Sequence, residues 1–145
     1  MSLQGQWADT LLDVERLHVL KLLVWGALSV GVGTAMIALI RVRRIDSPLL
    51  RHFAIQSTAW GAIDIAIWAR QGLHLRDFAS AVALDRFVWL NVGLDAGYVA
   101  VGATLALSGW SLGRRLGLVG AGLGVIVQGC ALVLLDLQLA AAIVR

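Results

Sequence analysis

The sequence contains one cysteine, Cys130, and one proline, Pro48, and only 14% of its 145 residues are charged. A single cysteine excludes an intramolecular disulfide and a metal centre built on several cysteine ligands. Soluble globular domains carry about 25% charged residues. The deficit here, together with 59% hydrophobic residues and a mean hydropathy of +0.83, indicates that lipid is the main solvent of the chain.

Charge is also too sparse to indicate a nucleic-acid partner. The net charge is +3, but the basic residues lie at the ends of apolar runs, where membrane proteins carry their topology signals. The first 18 residues lack the basic leader and short apolar run of a cleavable signal peptide, so none is expected. We therefore predict a lipid bilayer as the main partner and no binding of nucleic acid.

Four apolar segments are long enough to cross a bilayer, which takes roughly 20 residues in a helix. Only helices and closed barrels satisfy their backbone in lipid, and uninterrupted runs of this length indicate helices. Because the connections are short, consecutive helices should be antiparallel. The predicted fold is a single all-α domain, an integral membrane four-helix bundle with up-down-up-down topology. Its helices cover residues 17–40, 49–69, 78–107 and 116–144, and a candidate interfacial helix, 4–16, runs into the first.

The connections carry recognisable boundary chemistry. In RVRRIDSPLL, Asp46 or Ser47 can cap the second helix, and Pro48 suits its first turn. Six of the 12 basic residues cluster around the first and third connections: Arg41, Arg43, Arg44, Arg51, Arg114 and Arg115. Cytoplasmic loops are enriched in such residues, so we predict that these two connections face the cytoplasm and that both termini lie outside.

Three carboxylates interrupt the apolar segments, and each is costly inside a bilayer. Asp64 lies six residues before Arg70, Asp95 nine after Arg86, and Asp136 nine before Arg145. At 1.5 Å per residue these spacings place them at depths of roughly 9, 14 and 14 Å from the same membrane face. We expect them to meet in a polar pocket, with basic partners from the first helix. The candidate partners are Arg16, His18 and Lys21.

Helical spacing places further polar and aromatic residues beside these carboxylates. On the third span, Asn91, Asp95, Tyr98 and Gly102 follow steps of four, three and four, which put them on one face. The glycines Gly93 and Gly97 of the same span are predicted to form a close-packing ridge. On the second span, Trp60 and Trp68 flank Asp64, and on the fourth Gly122 and Gly129 share a face with Asp136.

Three functional interpretations follow. The first is a transport or sensing module whose pocket binds a cation, a proton or a small polar ligand. Its predicted ligand-binding residues are His18, Trp60, Asp64, Trp68, Asn91, Asp95, Tyr98 and Asp136. The second is an accessory subunit of a homo-oligomer or larger membrane complex, in which the same polar groups are interhelical hydrogen bonds. The third is an intramembrane hydrolase using a metal held by His18 and the carboxylates.

The sequence favours the first two of these over an enzyme. No nucleophile shares a stripe with a histidine, so no catalytic residue is predicted. A b-type haem needs two facing histidines, whereas His18 and His52 lie towards opposite membrane faces, so haem is disfavoured. The cofactor, if there is one, is not indicated by any motif.

Two stretches carry a resemblance to a known group of proteins. HFAIQSTAWGAIDIAIW (His52 to Trp68) followed by RFVWLNVGLDAGYVAVGATL (Arg86 to Leu105) resembles small bacterial four-helix membrane proteins classified only as a domain of unknown function. The resemblance covers the second and third spans and implies a bacterial inner-membrane protein. It brings no activity with it. The motif positions that it implies are Gln56, Trp60, Asp64, Asn91, Asp95 and Tyr98.

Overall fold

The computed structural model describes residues 3–73 and 81–143, and these form four helices with no strand among them. The helices are α1 (Leu3–Val42), α2 (Pro48–Leu73), α3 (Ala81–Ser111) and α4 (Leu116–Ile143). The predicted all-α fold with four helices is therefore confirmed. The beginning predicted for the third helix, residue 78, lies outside the described residues, as does His74.

The helix bounds differ from the predicted ones chiefly in α1. This helix has 40 residues and is about 60 Å long at 1.5 Å per residue. The predicted interfacial segment 4–16 and the first span are therefore one continuous helix, longer than the hydrocarbon core is thick. A smaller difference occurs in α3, which continues to Ser111, four residues beyond its predicted end.

Both short connections are fixed by local chemistry. The Ser47 hydroxyl accepts the N–H of Leu50, so Ser47 rather than Asp46 caps α2, and Pro48 is its first residue. Between α3 and α4, Gly113 has φ +84°, a left-handed conformation that glycine adopts without a steric penalty. These turns allow α1 and α2, and likewise α3 and α4, to pack as antiparallel neighbours.

Close backbone contacts at glycines hold each of these pairs together. A Cβ atom on Gly61 of α2 would lie 2.6 Å from the carbonyl oxygen of Gly26 on α1. A Cβ atom on Gly122 of α4 would lie 2.6 Å from the backbone nitrogen of Ala106 on α3. Only glycine permits such approaches, which is how small residues drive helix association in lipid.

The central helix of the arrangement is α4, which packs against all three others. Its pairing with α2 is closest where Gly120 contacts Leu49, near the first connection. In contrast, α3 packs mainly against α4 and leaves a gap between itself and α2. The N-terminal part of α1 packs, through Leu11 and Val14, against an apolar cluster of α3 and α4 that includes Leu84, Val88 and Leu139.

The predicted glycine ridge on α3 makes no close contact with another helix among the described residues. No atom of these residues lies within 4 Å of a Cβ atom built on Gly93 or Gly97, and both glycines are exposed. The reason is helical geometry, because positions two apart lie on nearly opposite faces and Gly93 and Gly97 are each two residues from Asp95. The glycine of α3 that does contact α4 is Gly102.

Three segments among the described residues are long and apolar enough to cross a membrane: Leu11–Val42, Val82–Ser111 and Leu116–Ile143. The fourth predicted span, 49–69, corresponds to α2, which does not reach the same apolarity. Its 26 residues include Gln56, Ser57, Thr58 and Asp64, which lower its mean hydropathy. Three of the four helices thus have the length and apolarity of membrane-spanning helices. Whether α2 fits beside them in a membrane depends on how its polar residues are arranged.

Candidate functional site

A cavity of about 810 Å³ lies in the half of the bundle where α2 ends and α3 begins, and all four helices line it. Of the eight residues predicted to bind a ligand, seven line this cavity: His18, Trp60, Asp64, Asn91, Asp95, Tyr98 and Asp136. The eighth, Trp68, is not among the described residues that line it. Whether these residues bind a ligand stays a prediction, but the structure brings the three carboxylates together.

The cavity exists because the helices separate in this half. The glycine contacts between α2 and α4 occur at Gly117, Gly120 and Gly124, in the first three turns of α4. Further along α4 the link to α2 is made by side chains, Gln128 to Asp64. A contact between two side chains needs more space between the helices than a contact between backbones does. In this half α2 and α4 therefore leave room for polar groups between them.

Asp64 is held by a hydrogen-bonded chain across three helices. It is only 1% exposed, and it accepts a hydrogen bond from the Gln128 side-chain amide. The Gln128 carbonyl in turn accepts the indole N–H of Trp25 on α1, at 3.0 Å. The sequence analysis missed Gln128 and Trp25. The signal for Gln128 was an amide in the middle of the apolar fourth span, eight residues before Asp136, a spacing that keeps the two residues on one broad side of α4.

Asp136 is paired with the first helix through His18. The His18 Nε2 atom lies 3.2 Å from the Asp136 carboxylate, and both side chains are largely buried. The other ring nitrogen of His18, Nδ1, is buried and has no hydrogen-bond partner among the described residues. His18 is therefore positioned by a single polar contact.

The other two basic residues expected near the pocket are engaged elsewhere. Lys21 donates to the side-chain carbonyl of Gln138 at 2.8 Å, near the surface. Arg16 lies 3.7 Å from Asp13, and both side chains are exposed. Of the three candidate partners on α1, His18 is the one that reaches a carboxylate of the cavity. A further basic residue at the lining is Arg70 of α2, which sequence analysis used only as a flank.

Asp95 differs from the other two carboxylates in that its hydrogen-bond partner is another carboxyl group, that of Asp136. It is 6% exposed and lies beside Asp136, within electrostatic range of Asp64. No N–H or basic group of the described residues pairs with it, so its nearest polar neighbours are other carboxyl groups. Carboxyl groups this close repel each other when both are ionised, and a shared proton or a bound cation relieves the repulsion.

Two aromatic rings lie at the inner end of the cavity, which is the end furthest from the connection between α2 and α3. The rings of Trp60 on α2 and Tyr98 on α3 have centroids 5.0 Å apart and planes at 60°, a tilted contact of the kind that aromatic pairs prefer. This contact bridges the two helices that are otherwise separated by the cavity. Asn91 lies one turn from Asp95 on the same wall of α3.

The described residues do not provide a metal centre. No group of three or more histidine, cysteine, aspartate or glutamate side chains among them is arranged to hold a metal ion. His52 lies in the opposite half, where its ring is 2.8 Å from the Pro48 carbonyl oxygen and packs against Gly117. The hydrolase interpretation, in which His18 and the carboxylates hold a metal, therefore has no support from the geometry.

Comparison with known proteins places the chain in a family but gives it no activity. No curated protein and no solved structure matches the chain. Residues 21–137 match a family of unknown function, DUF6992. The resemblance to an uncharacterised family is thus confirmed over parts of all four helices rather than two, while the bacterial origin stays a prediction. The chain belongs to the family of unknown function DUF6992.

Proposed function

We propose that all four helices, including α2, cross a lipid bilayer as an up-down-up-down bundle. The support for a membrane-spanning α2 is that its buried face carries a charged residue and its exposed face carries apolar ones, the reverse of a helix on the surface of a soluble protein. Asp64 is buried, whereas Ile55, Ile63 and Ile67 are exposed. Charged groups of membrane helices face the bundle interior and apolar side chains face lipid. An exposed apolar surface is present on the other helices too, for example at Leu28, Val101 and Leu134.

The orientation and compartment are part of the same proposal. The first connection and the α3–α4 turn carry exposed arginines, including Arg43, Arg44, Arg114 and Arg115. The positive-inside rule puts these connections in the cytoplasm. The termini and the cavity half would then lie towards the outer face of a bacterial inner membrane.

We propose further that the cavity binds a positively charged ligand, as part of a transport or sensing module. Four carboxylic acids line it, Glu15, Asp64, Asp95 and Asp136, against two basic residues, His18 and Arg70. The observation that carries the proposal is Asp95, a buried carboxyl on the cavity wall whose hydrogen-bond partner is the carboxyl group of Asp136. Two adjacent buried carboxyl groups repel each other when both are ionised, and a cation in the cavity would offset that repulsion.

The test separates ligand binding from structural hydrogen bonding by using Asp95→Asn. The protein is placed in lipid nanodiscs, and its thermal unfolding is followed with Na⁺, K⁺ or tetramethylammonium as probes. We expect at least one probe to raise the melting temperature of the wild type. Asp95→Asn should melt no lower than the wild type without a probe, because it removes repulsion between carboxyl groups. The same variant should lose at least about tenfold in probe affinity.

Asp13→Asn is the matched control, because Asp13 is an exposed carboxylate outside the cavity. It should alter neither the melting temperature nor the probe affinity. If Asp95→Asn instead lowers stability without any probe, and no probe shifts the wild type, the carboxylates are structural and the proposal fails.

A second candidate, an accessory subunit of a homo-oligomer or larger complex, is favoured by one feature of α3. Gly93 and Gly97 form a G-x-x-x-G pair that is exposed and has no close neighbour among the described residues of the chain. Such pairs let two membrane helices approach closely. Gly97→Leu should then abolish an oligomer seen by mass measurement in native membranes or nanodiscs, while Gly31→Leu, at an exposed glycine of α1, should leave it intact. A wild type that is monomeric and that is extracted from native membranes without a stoichiometric partner would remove this candidate.

A further inference from the structure

The apolar residues that line the cavity differ in their exposure. Val19 of α1, Leu84 of α3 and Leu139 of α4 are buried, at 4%, 1% and 5% exposed. Ile63 and Ile67 of α2 and Leu94 of α3 are exposed, at 46%, 40% and 53%. Residues that line a cavity and are also exposed mark its rim. The cavity therefore has buried residues of all four helices at its back, and it opens sideways between α2 and α3, at the rim formed by Ile63, Ile67 and Leu94.

The contacts between helices agree with a sideways opening. α2 packs against α1 and α4, and α3 packs mainly against α4, so α2 and α3 are not held together along the cavity. Their rings Trp60 and Tyr98 meet at the inner end and limit the opening there. In a bilayer, a gap between two helices faces the acyl chains. A ligand can thus enter this site from the lipid as well as from water.

The lining is mixed in a way that suits a ligand with two parts. The carboxyl groups of Asp64, Asp95 and Asp136 lie at the back of the cavity, on buried residues. Ile63, Ile67 and Leu94 lie at the rim and are apolar. Aromatic faces at Trp60 and Tyr98 can attract an ammonium group beside the carboxylates. A volume of about 810 Å³ is that of a site for an organic molecule, far larger than a bare inorganic ion needs.

We infer that the cavity takes an amphiphilic organic cation, with its ammonium group among the three aspartates and its apolar chain passing between α2 and α3 into the bilayer. This inference rests on the proposed function and adds the class of ligand and its route of entry. A small soluble ammonium ion would use the carboxylates but leave the apolar rim without a role. An anionic amphiphile would use the rim but be repelled by the carboxylates.

Three probes in lipid nanodiscs test the inference: tetramethylammonium, decyltrimethylammonium below its micellar concentration, and decyl sulfate. Decyl sulfate carries the same chain with the opposite charge, so it controls for simple partition into the lipid. Thermal unfolding of the wild type should show a saturable shift with decyltrimethylammonium and none with decyl sulfate. Asp95→Asn should lower the affinity for both ammonium probes by at least about tenfold.

The rim is tested by a matched pair of substitutions on α3. Leu94 lines the cavity, whereas Leu90, one turn earlier, is equally exposed and does not line it. Leu94→Trp should narrow the opening and lower the affinity for decyltrimethylammonium by at least about tenfold, with tetramethylammonium within about twofold. Leu90→Trp should change neither. Ile63→Trp, on the facing rim of α2, should repeat the effect of Leu94→Trp.

The outcomes separate the two levels of the proposal. If tetramethylammonium binds in an Asp95-dependent manner but the decyl chain adds nothing, or the rim substitutions affect both ammonium probes alike, the amphiphile inference is overturned and cation binding stands. If decyl sulfate binds as well as decyltrimethylammonium, the amphiphile inference is again overturned. If neither ammonium probe shows Asp95-dependent binding, the proposed function and this inference fall together.

Discussion

The two halves of this bundle differ in how α2 meets α4 and α3, whereas close backbone contacts within the α1–α2 and α3–α4 pairs occur in the cavity half as well, at Gly61 and Gly129. In the glycine-packed half, near the two short connections, helices touch through their backbones at Gly33, Gly102, Gly120 and Gly122. In the cavity half, α2 meets α4 and α3 through side chains, in the Asp64–Gln128 hydrogen bond and the Trp60–Tyr98 ring contact. Glycines, which have no side chain, let two helices pack closely, whereas polar side chains that contact each other keep two helices apart. The same four helices are thus closely packed in one half and surround a cavity in the other.

The difference also divides stability from function. The close packing of the glycine-packed half contributes to the stability of the bundle and does not depend on polar side chains. Buried carboxylates cost stability, and proteins retain such groups where a site needs them. The glycine-packed half should therefore respond to added volume, and the cavity half to lost hydrogen bonds and lost charge.

The largest expected effect comes from adding a methyl group in the glycine-packed half. In Gly122→Ala the new Cβ atom would meet backbone atoms of Ala106 and Gly102, so α3 and α4 must move apart. We expect a loss of about 1–3 kcal/mol in the free energy of unfolding, measured by denaturant titration in mixed micelles.

Gly31→Ala is the control for this substitution, since a Cβ atom there meets no atom within 4 Å. Alanine is the better helix former, so this variant should be neutral or slightly more stable. Equal destabilisation by both substitutions would show that the α3–α4 contact at Gly122 is not close.

A smaller effect should follow from breaking the hydrogen-bonded chain in the cavity half. Gln128→Leu removes the donor to Asp64 and the acceptor of the Trp25 indole, leaving both buried groups unsatisfied. Interhelical hydrogen bonds in membrane proteins contribute about 0.6 kcal/mol on average, so two of them predict a loss of about 1 kcal/mol.

Gln138→Leu makes the same chemical change ten residues later, where the glutamine is exposed and accepts from Lys21. Its effect on the free energy of unfolding should stay within about 0.5 kcal/mol. A similar loss in both variants would mean that burial of the Gln128 chain makes no difference.

The smallest effect is expected at the seam between α2 and α3. A double-mutant cycle with Trp60→Leu and Tyr98→Leu should give a coupling of about 0.5–1.5 kcal/mol, the range for aromatic pairs in contact. The same cycle between Trp60 and Trp110, at the other end of α3, should give none. A coupling near zero for Trp60 with Tyr98 would indicate that the two rings do not hold the inner end of the cavity closed.

Much of the site followed from counting along the chain. The depth of a carboxylate in a helix depends only on its distance from the helix end, because every residue adds the same rise. Asp64, Asp95 and Asp136 could therefore be assigned to one level before any packing was known. The face of Asn91, Asp95 and Tyr98 followed in the same way from steps of three and four residues.

The partners of these carboxylates did not follow. Sequence spacing cannot say which residue of a second helix a side chain will meet, because that depends on the rotation and separation of both helices. Gln128 and Trp25 were missed for this reason, and Lys21 was expected at the pocket although it pairs with Gln138. Trp68 was predicted to line the pocket because it lies one turn from Asp64 on the same helix. It is not among the described residues that line the cavity.

Composition and periodicity by themselves predicted four apolar helices and a set of acids at one level, and three of the helices observed are long and apolar enough for a bilayer. Those properties are local, since each depends on the order of residues within one helix. Tertiary structure decided that α4 lies at the centre, that α2 and α3 separate, and that Asp95 meets another carboxyl group while Asp64 receives an amide donor. Such features depend on which backbones can touch, and that is settled only when glycines of different helices meet.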